Sequence, residues 1–261
     1  ALARLKVNTT MVGKIGDDSF GEEYRRVFEQ EGVNYSMVQR RVGVSTGVAM
    51  IEVNGSGENH IVVVPGANGE VDTDYLQGSL RKLREIDFFL LQLEIPLESV
   101  FFCIQGLTEL GKTVILDPAP APDRPFVENE LRGVDYITPN ITETYQLTGV
   151  RVENRRSARQ AGERLRALGV KNVIIKAGNR GAYIVNEREV RLVETIEVEV
   201  EDTTAAGDGF NAGLAYGLGA EMKIDEAVRF ANVVGALCCT KKGAQSAMPS
   251  LEMVKERLGH R

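Results

Sequence analysis

Residues 201–213 read Glu201-Asp202-Thr203-Thr204-Ala205-Ala206-Gly207-Asp208-Gly209-Phe210-Asn211-Ala212-Gly213. The β-like run Ile196–Val200 leads into them and the apolar helical stretch Leu214–Leu218 leads out. Extended chain, a turn of small residues and then a helix make the repeating step of an α/β protein. The same alternation runs upstream. Apolar runs at Thr10–Ile15, Ile86–Leu91, Thr113–Asp117, Asp135–Thr138 and Asn172–Ala177 are continuous rather than alternating, as for strands buried on both faces. Helical patterns at Ser19–Glu31, Thr73–Arg84, Pro96–Leu110 and Arg155–Leu168 lie between them. Gly32, Gly111 and Gly169 each stand where a helix stops before an apolar run. The expectation is one α/β domain over 1–261, with a mostly parallel central sheet and helices on both faces. One stretch breaks the rhythm. Thr46–Val53 and Asn59–Val64 read as a hairpin around Asn54-Gly55-Ser56-Gly57, ended by Pro65-Gly66. This small β lid, about 46–64, would cover a site or form a dimer surface, or be an edge hairpin with no role.

The chain has 261 residues, 43% of them hydrophobic, enough for a large core. A formal net charge of -6 argues against a nucleic-acid binder, which needs a basic face. No apolar run approaches the ~20 residues of a membrane span, and no signal region opens the chain. Three cysteines, Cys103, Cys238 and Cys239, suggest reduced thiols and a cytoplasmic protein. With two histidines and no CxxC pair, a structural zinc site is not expected. Ala1–Leu5 reads as the last turns of a helix with no cap before it, so an N-terminal segment is expected to be absent from this sequence.

The chemistry of 201–213 follows from its small residues. Ala205, Ala206, Gly207 and Gly209 let backbone approach a ligand, and free N–H groups at a helix start bind anions. Asp208 sits in that positive environment, ready to accept a proton. A carboxylate beside an anion hole fits phosphoryl transfer to an alcohol. The competing reading is an Asp cap on a glycine-rich turn.

Asp202-Thr203-Thr204-Ala205-Ala206-Gly207-Asp208 resembles the C-terminal signature of the ribokinase-like (PfkB-type) carbohydrate kinase family, which usually has Thr, Ser or Ala where Gly209 stands. The resemblance runs from Val12-Gly13-Lys14-Ile15-Gly16-Asp17-Asp18 to Gln245. It implies Asp208 as general base, with the Ala205, Ala206 and Gly207 amides around the transferring phosphate. It places Asn140 near the nucleotide phosphates and Glu143 with the magnesium ion, although Asn140 also suits a helix cap. Lys176-Ala177-Gly178-Asn179-Arg180-Gly181 is similar to the family's nucleotide-side turn, although a plain hairpin turn has the same pattern. Glu94 matches a sugar-contacting Glu, against a solvated strand-end charge. The segment containing Asn232 closes around adenine in that family. Asp202, Thr204, Cys238, Lys241, Gly243 and Ala247 match its monovalent-cation positions, mostly through main-chain oxygen. A Ser is frequent at the place of Ala247, and Lys241-Lys242-Gly243 also reads as a helix end complemented by cations.

The resemblance implies an enzyme that uses ATP with Mg²⁺, and K⁺ as activator, to phosphorylate a primary hydroxyl of a small sugar, D-ribose first among candidates. Fructose, deoxyribose or a nucleoside would use the same phosphoryl-transfer residues. A non-catalytic sugar- or nucleotide-binding homologue is the alternative of another class, and it would not need Asp208. The lid's apolar residues and the resemblance together predict a homodimer with paired lids.

Overall fold

Asp18 begins the architecture by holding two elements at once. Its carboxylate accepts from Gly21 N, capping helix α1 (Ser19–Glu31), and from both Thr46 N (2.7 Å) and Thr46 Oγ1 (2.6 Å). Gly32 closes α1 in the left-handed region, φ 72°, with its N–H on the Phe28 and Glu29 carbonyls. On either side of α1 in sequence, strands β1 (Thr10–Gly16) and β2 (Asn34–Arg41) pair in parallel. This computed structural model describes residues 1–53 and 59–259.

Strands β3 (Val48–Val53) and β4 (Asn59–Val64) form the expected antiparallel hairpin, and its Asn54–Gly57 turn lies outside the described residues. Helix α2 (Thr73–Leu80) is shorter than the expected Thr73–Arg84. Beyond Leu80 the chain tightens into i→i+3 bonds, from Lys82 N to Ser79 O and from Leu83 N to Leu80 O. There follow β5 (Phe88–Leu91), α3 (Leu97–Glu109), β6 (Thr113–Leu116), β7 (Tyr136–Ile137), α4 (Ile141–Thr148), α5 (Arg155–Arg166) and β8 (Asn172–Lys176). The chain then forms β9 (Ala182–Val185), β10 (Val190–Val193), α6 (Ala206–Gly219), α7 (Ile224–Cys238) and α8 (Leu251–Gly259).

The main sheet has the order β10-β9-β8-β7-β6-β5. β5 to β8 are parallel, and β9 and β10 add an antiparallel edge. The run Ile196–Val200 is not a strand: it joins no ladder. It follows α7 and α8 instead, where Thr195 Oγ1 donates to Asn232 O and the Arg257 guanidinium to Glu197 O. Among the described residues no helix is long and apolar enough to cross a membrane.

Side-chain alternation splits the core into two layers, since neighbours on a strand point to opposite faces. Val114, Leu116, Val173 and Ile175 pack with Leu76, Ile104, Leu107 and Leu165 of α2, α3 and α5. Ile115, Ile174 and Ile184 pack on the other face with Phe210 and Leu214 of α6 and Val228 and Ala231 of α7. Helices therefore cover both faces, and each fully buried Ile or Leu contributes roughly 1.5–3 kcal/mol.

Helices α6 and α7 lie unusually close. A Cβ built on Gly213 would be 2.7 Å from Ala231 Cα, and one on Gly217 would be 2.7 Å from Ala227 Cα. Glycine in a helix normally costs up to ~1 kcal/mol relative to Ala. Here the missing methyl is what permits the contact. Gly213→Ala should therefore destabilise the fold by about 1–3 kcal/mol, the usual range for overpacking. Urea denaturation measures this; a variant as stable as the parent would contradict the packing.

Candidate active site

Helix α6 starts without a side-chain cap. Its cap residue is Ala205, held at φ 58° and ψ 14°, a left-handed conformation that costs a non-glycine residue about 1–3 kcal/mol. A methyl group accepts no hydrogen bond, so the amides of Gly207 and Asp208 keep the anion-binding capacity of a helix start. Asp208 stands in this first turn, and its side chain is exposed by area. Protein crowded around the carboxyl group still raises its pKa, and the Asp117 carboxylate raises it further, while Lys176 pulls it down.

Asp117 follows β6 and Lys176 ends β8, so the two parallel strands that flank β7 deliver an ion pair to the mouth of α6. Lys176 Nζ lies 3.0 and 2.8 Å from the two Asp117 oxygens, and both side chains are largely buried. Asn211, one turn beyond Asp208, donates from Nδ2 to Asp117 Oδ2 at 2.5 Å. Asn211 is 6% exposed and its Oδ1 has no partner in this structure. The ammonium also lies against the helix start: a Cβ on Gly207 would be 3.2 Å from Lys176 Nζ. Breaking such a buried pair strands one charge, typically at about 3–5 kcal/mol.

Glu94 belongs to the same constellation. Burial of its carboxyl group raises its pKa, followed by the charges of Asp208 and Asp117. Asn140 and Glu143 form a reciprocal capping box on α4. Asn140 N and Nδ2 donate to the two Glu143 oxygens at 2.7 and 2.8 Å, and Glu143 N donates to Asn140 Oδ1 at 2.8 Å. Burial raises the Glu143 pKa, partly offset by the Asn140 N–H and the Lys176 charge. Lys176 N bonds Pro139 O, which sets this cap beside the ion pair.

The expected nucleotide-side turn divides into two sets of residues. Gly178 and Asn179 are exposed in a one-turn 3₁₀ helix between β8 and β9. Arg180 points elsewhere, donating to the Glu153 and Val152 carbonyls. Gly181 packs against the chain at Thr195, whose N would be 2.8 Å from an added Cβ. Asn232 is buried, and its Nδ2 is used on Val193 O and Glu194 O, at 2.8 and 3.3 Å. The donor side of Asn232 and the Arg180 guanidinium are thus both taken up by backbone carbonyls.

The expected cation positions gather around the end of α7. Asp202 Oδ1 accepts from Thr204 N and Oδ2 from Gly243 N, both at 2.9 Å. Cys239 O accepts from Glu201 N and Asp202 N. Lys241 is exposed at this turn, and Ala247 is buried in the short 3₁₀ segment after it. Ser246 Oγ donates back to Lys242 O at 3.1 Å. The Cys238 side chain lies inside, its thiol pushed up to about 12 by burial. All three cysteines are free.

Sequence reasoning assigned no role to the side chains of Asp117 and Asn211. Asp117 carried two signals, its place at the carboxyl end of a strand and the resemblance of Asp117-Pro118-Ala119-Pro120-Ala121 to the family. Asn211 carried none, because its partner is 94 residues away.

Comparison with known proteins agrees with this geometry. The pfkB family carbohydrate kinase model matches residues 1–251. The chain is 37% identical to a ribokinase of Haemophilus influenzae over all of its own length and 84% of the relative. It is 33% identical to a deoxyribokinase of Salmonella typhi, over 99% of this chain and 84% of the relative. The structure of Arabidopsis thaliana ribokinase complexed with ribose and ATP superposes with a TM-score of 0.89 and 31% identity, covering 98% of this chain and 83% of that one. The chain belongs to the pfkB family of carbohydrate kinases.

The Asp202 clasp has a pH signature. Hydrogen bonds from Thr204 and Gly243 hold its carboxyl at about 2. A depressed folded-state value means that the clasp's contribution is complete above the unfolded value of about 3.9 and is lost as pH falls through the folded one. Carbon-detected NMR of the Asp202 carboxyl should give a midpoint near 2. A midpoint at an ordinary Asp value would show that the clasp does not form.

Proposed function

We propose that this carbohydrate kinase moves the γ-phosphate of ATP onto the primary hydroxyl of a small sugar, with D-ribose the preferred acceptor. The observation that carries the reading is the uncapped start of α6, which holds Asp208 and open amides beside the Lys176–Asp117 pair. Asp208 takes the proton from the hydroxyl, and its raised pKa makes it the stronger acceptor. The Gly207 and Asp208 amides face the transferring phosphate, while the Ala206 amide is taken by Thr203 O, and Lys176 is the adjacent cation. Glu94 binds sugar hydroxyls, and Gly178 and Asn179 border the nucleotide. The named H. influenzae and A. thaliana relatives support ribose; the Salmonella deoxyribokinase keeps 2-deoxyribose as the second reading.

Magnesium would neutralise charge on the phosphates. Among the described residues no three acidic, His or Cys side chains converge as ligands, and both Glu143 oxygens are engaged by Asn140. Such a site fits an ion carried by the nucleotide with much of its water, with Glu143 reached through water. A potassium ion would suit the hard carbonyl oxygens of Cys238, Lys241 and Gly243, beside an Asp202 that stays ionised.

Asp208→Asn should lower kcat by ~10²–10⁴-fold, the usual weight of a general base, with KM for ATP little changed. Coupled ADP release measures it, and a variant near parental turnover would remove Asp208 from this role. In the same assay, the parent enzyme should run faster when K⁺ replaces a bulky organic cation at constant ionic strength; equal rates would exclude the potassium site.

The lid supports a homodimer. Val62, Val63 and Val64 are 40, 54 and 44% exposed, and consecutive strand residues face opposite ways, so apolar surface lies bare on both faces. A second lid would cover one of them and remove an aggregation-prone edge. Replacing Val62 and Val64 together by Lys should give monomers with weaker sugar binding. Light scattering decides: a monomeric parent at micromolar concentration, or a double variant that remains dimeric, rules out the paired lid.

A further inference from the structure

Gly209 departs from the Thr, Ser or Ala expected after the catalytic Asp, and the space a side chain would fill is not empty. A Cβ built on Gly209 would collide with Cys238 Sγ, well inside the 3.0 Å that real Cβ contacts essentially never breach. The thiol of α7 therefore occupies the side-chain position of the residue next to Asp208. A glycine after the Asp suggests a loose helix start, but the last turn of α7 fills that space instead. Gly235, one turn earlier on α7, faces the same place: a Cβ there would be 3.1 Å from Ala206 O. Just beyond Cys238, the Cys239 carbonyl holds the amides of Glu201 and Asp202. The last turn of α7 thus grips the 201–209 turn on both sides of the open amides.

The thiol is suited to filling rather than reacting. It is fully buried, it lies 3.6 Å from Met248 Sδ, and burial keeps it protonated. Polarisable sulfur packed on a bare helix backbone fixes the translation of α6 along α7 at the level of Asp208.

We propose that Cys238 is a positioning residue for phosphoryl transfer: its side chain, seated in the place left by Gly209, sets where Asp208 and the Gly207 amide stand relative to the substrates. This inference rests on the assignment of Asp208 as the base. Cys238 touches neither substrate, so its removal acts on the transition state rather than on binding.

The test uses four full-length proteins: the parent, Cys238→Ala, Gly209→Ala and the double variant. Circular dichroism first measures the folded fraction of each. Misplacing a catalytic group by an ångström is worth up to ~10²-fold, and Cys238→Ala, which leaves a void rather than a clash, should lower kcat by roughly 3–10-fold with both KM values within about twofold. Gly209→Ala should be slower still or fail to fold. In the double variant the new methyl refills the vacated space, and kcat should return to within about threefold of the parent. Parental kcat in Cys238→Ala, a double variant no faster than Cys238→Ala, or a loss confined to KM or to folded fraction overturns the proposal. Asp208→Asn is assayed alongside. If it is slow while Cys238→Ala is normal, only the positioning role fails; if it is itself near parental turnover, the base assignment fails.

Discussion

Helices α6 and α7 meet backbone to backbone, and the site is built outward from that contact. Gly209, Gly213 and Gly217 repeat every four residues and so lie on one face of α6. Opposite them stand Cys238, Ala231 with Val234, and Ala227. The spacing leaves α6 little freedom to slide or tilt. Beneath the pair, Ile115, Ile174 and Ile184 seat it on the sheet. The start of α6 then falls at the carboxyl ends of the parallel strands, where an open α/β sheet places its ligands.

Charge at that point is unevenly distributed. Glu94, Asp117, Glu143 and Asp208 contribute four carboxyl groups, and Asp117 raises the pKa of each of the other three. Lys176 is the ammonium among them, already paired with Asp117. A polyphosphate entering here needs more positive charge than the side chains supply. The helix start provides part of it, and a cation carried by the substrate provides the rest. The Asp202 clasp and the Cys239 carbonyl fix the approach to α6, so the left-handed Ala205 is held between anchored neighbours. Strain at one residue persists because both flanks are pinned.

Local signals in the sequence translated well. Helix α1 and strand β4 have the ends that their patterns predict, because an Asp cap, a glycine stop and Pro65-Gly66 are decisions made within a few residues. Thr73–Arg84 was legible only in part, since helical spacing of its basic tail does not distinguish α from i→i+3 turns. Ile196–Val200 has strand composition, but pairing needs a neighbour that composition does not reveal. At the site, Asp208 and the small residues before it were readable because one continuous turn supplies them. The Lys176–Asp117 pair spans 59 residues and the Asn211–Asp117 bond 94, distances at which no spacing rule operates. Gly209 was legible as an oddity, and its reason, Cys238, is found only in the packing.

The central claim is that this arrangement transfers phosphate to a sugar's primary hydroxyl. The most direct measurement is phosphorus–proton correlation NMR of the product formed from ATP and D-ribose. The account predicts one ADP formed per sugar consumed and a phosphate coupled to the C5 methylene protons of ribose. Phosphate attached at the anomeric carbon, or ADP accumulating together with inorganic phosphate while ribose stays unchanged, would contradict it.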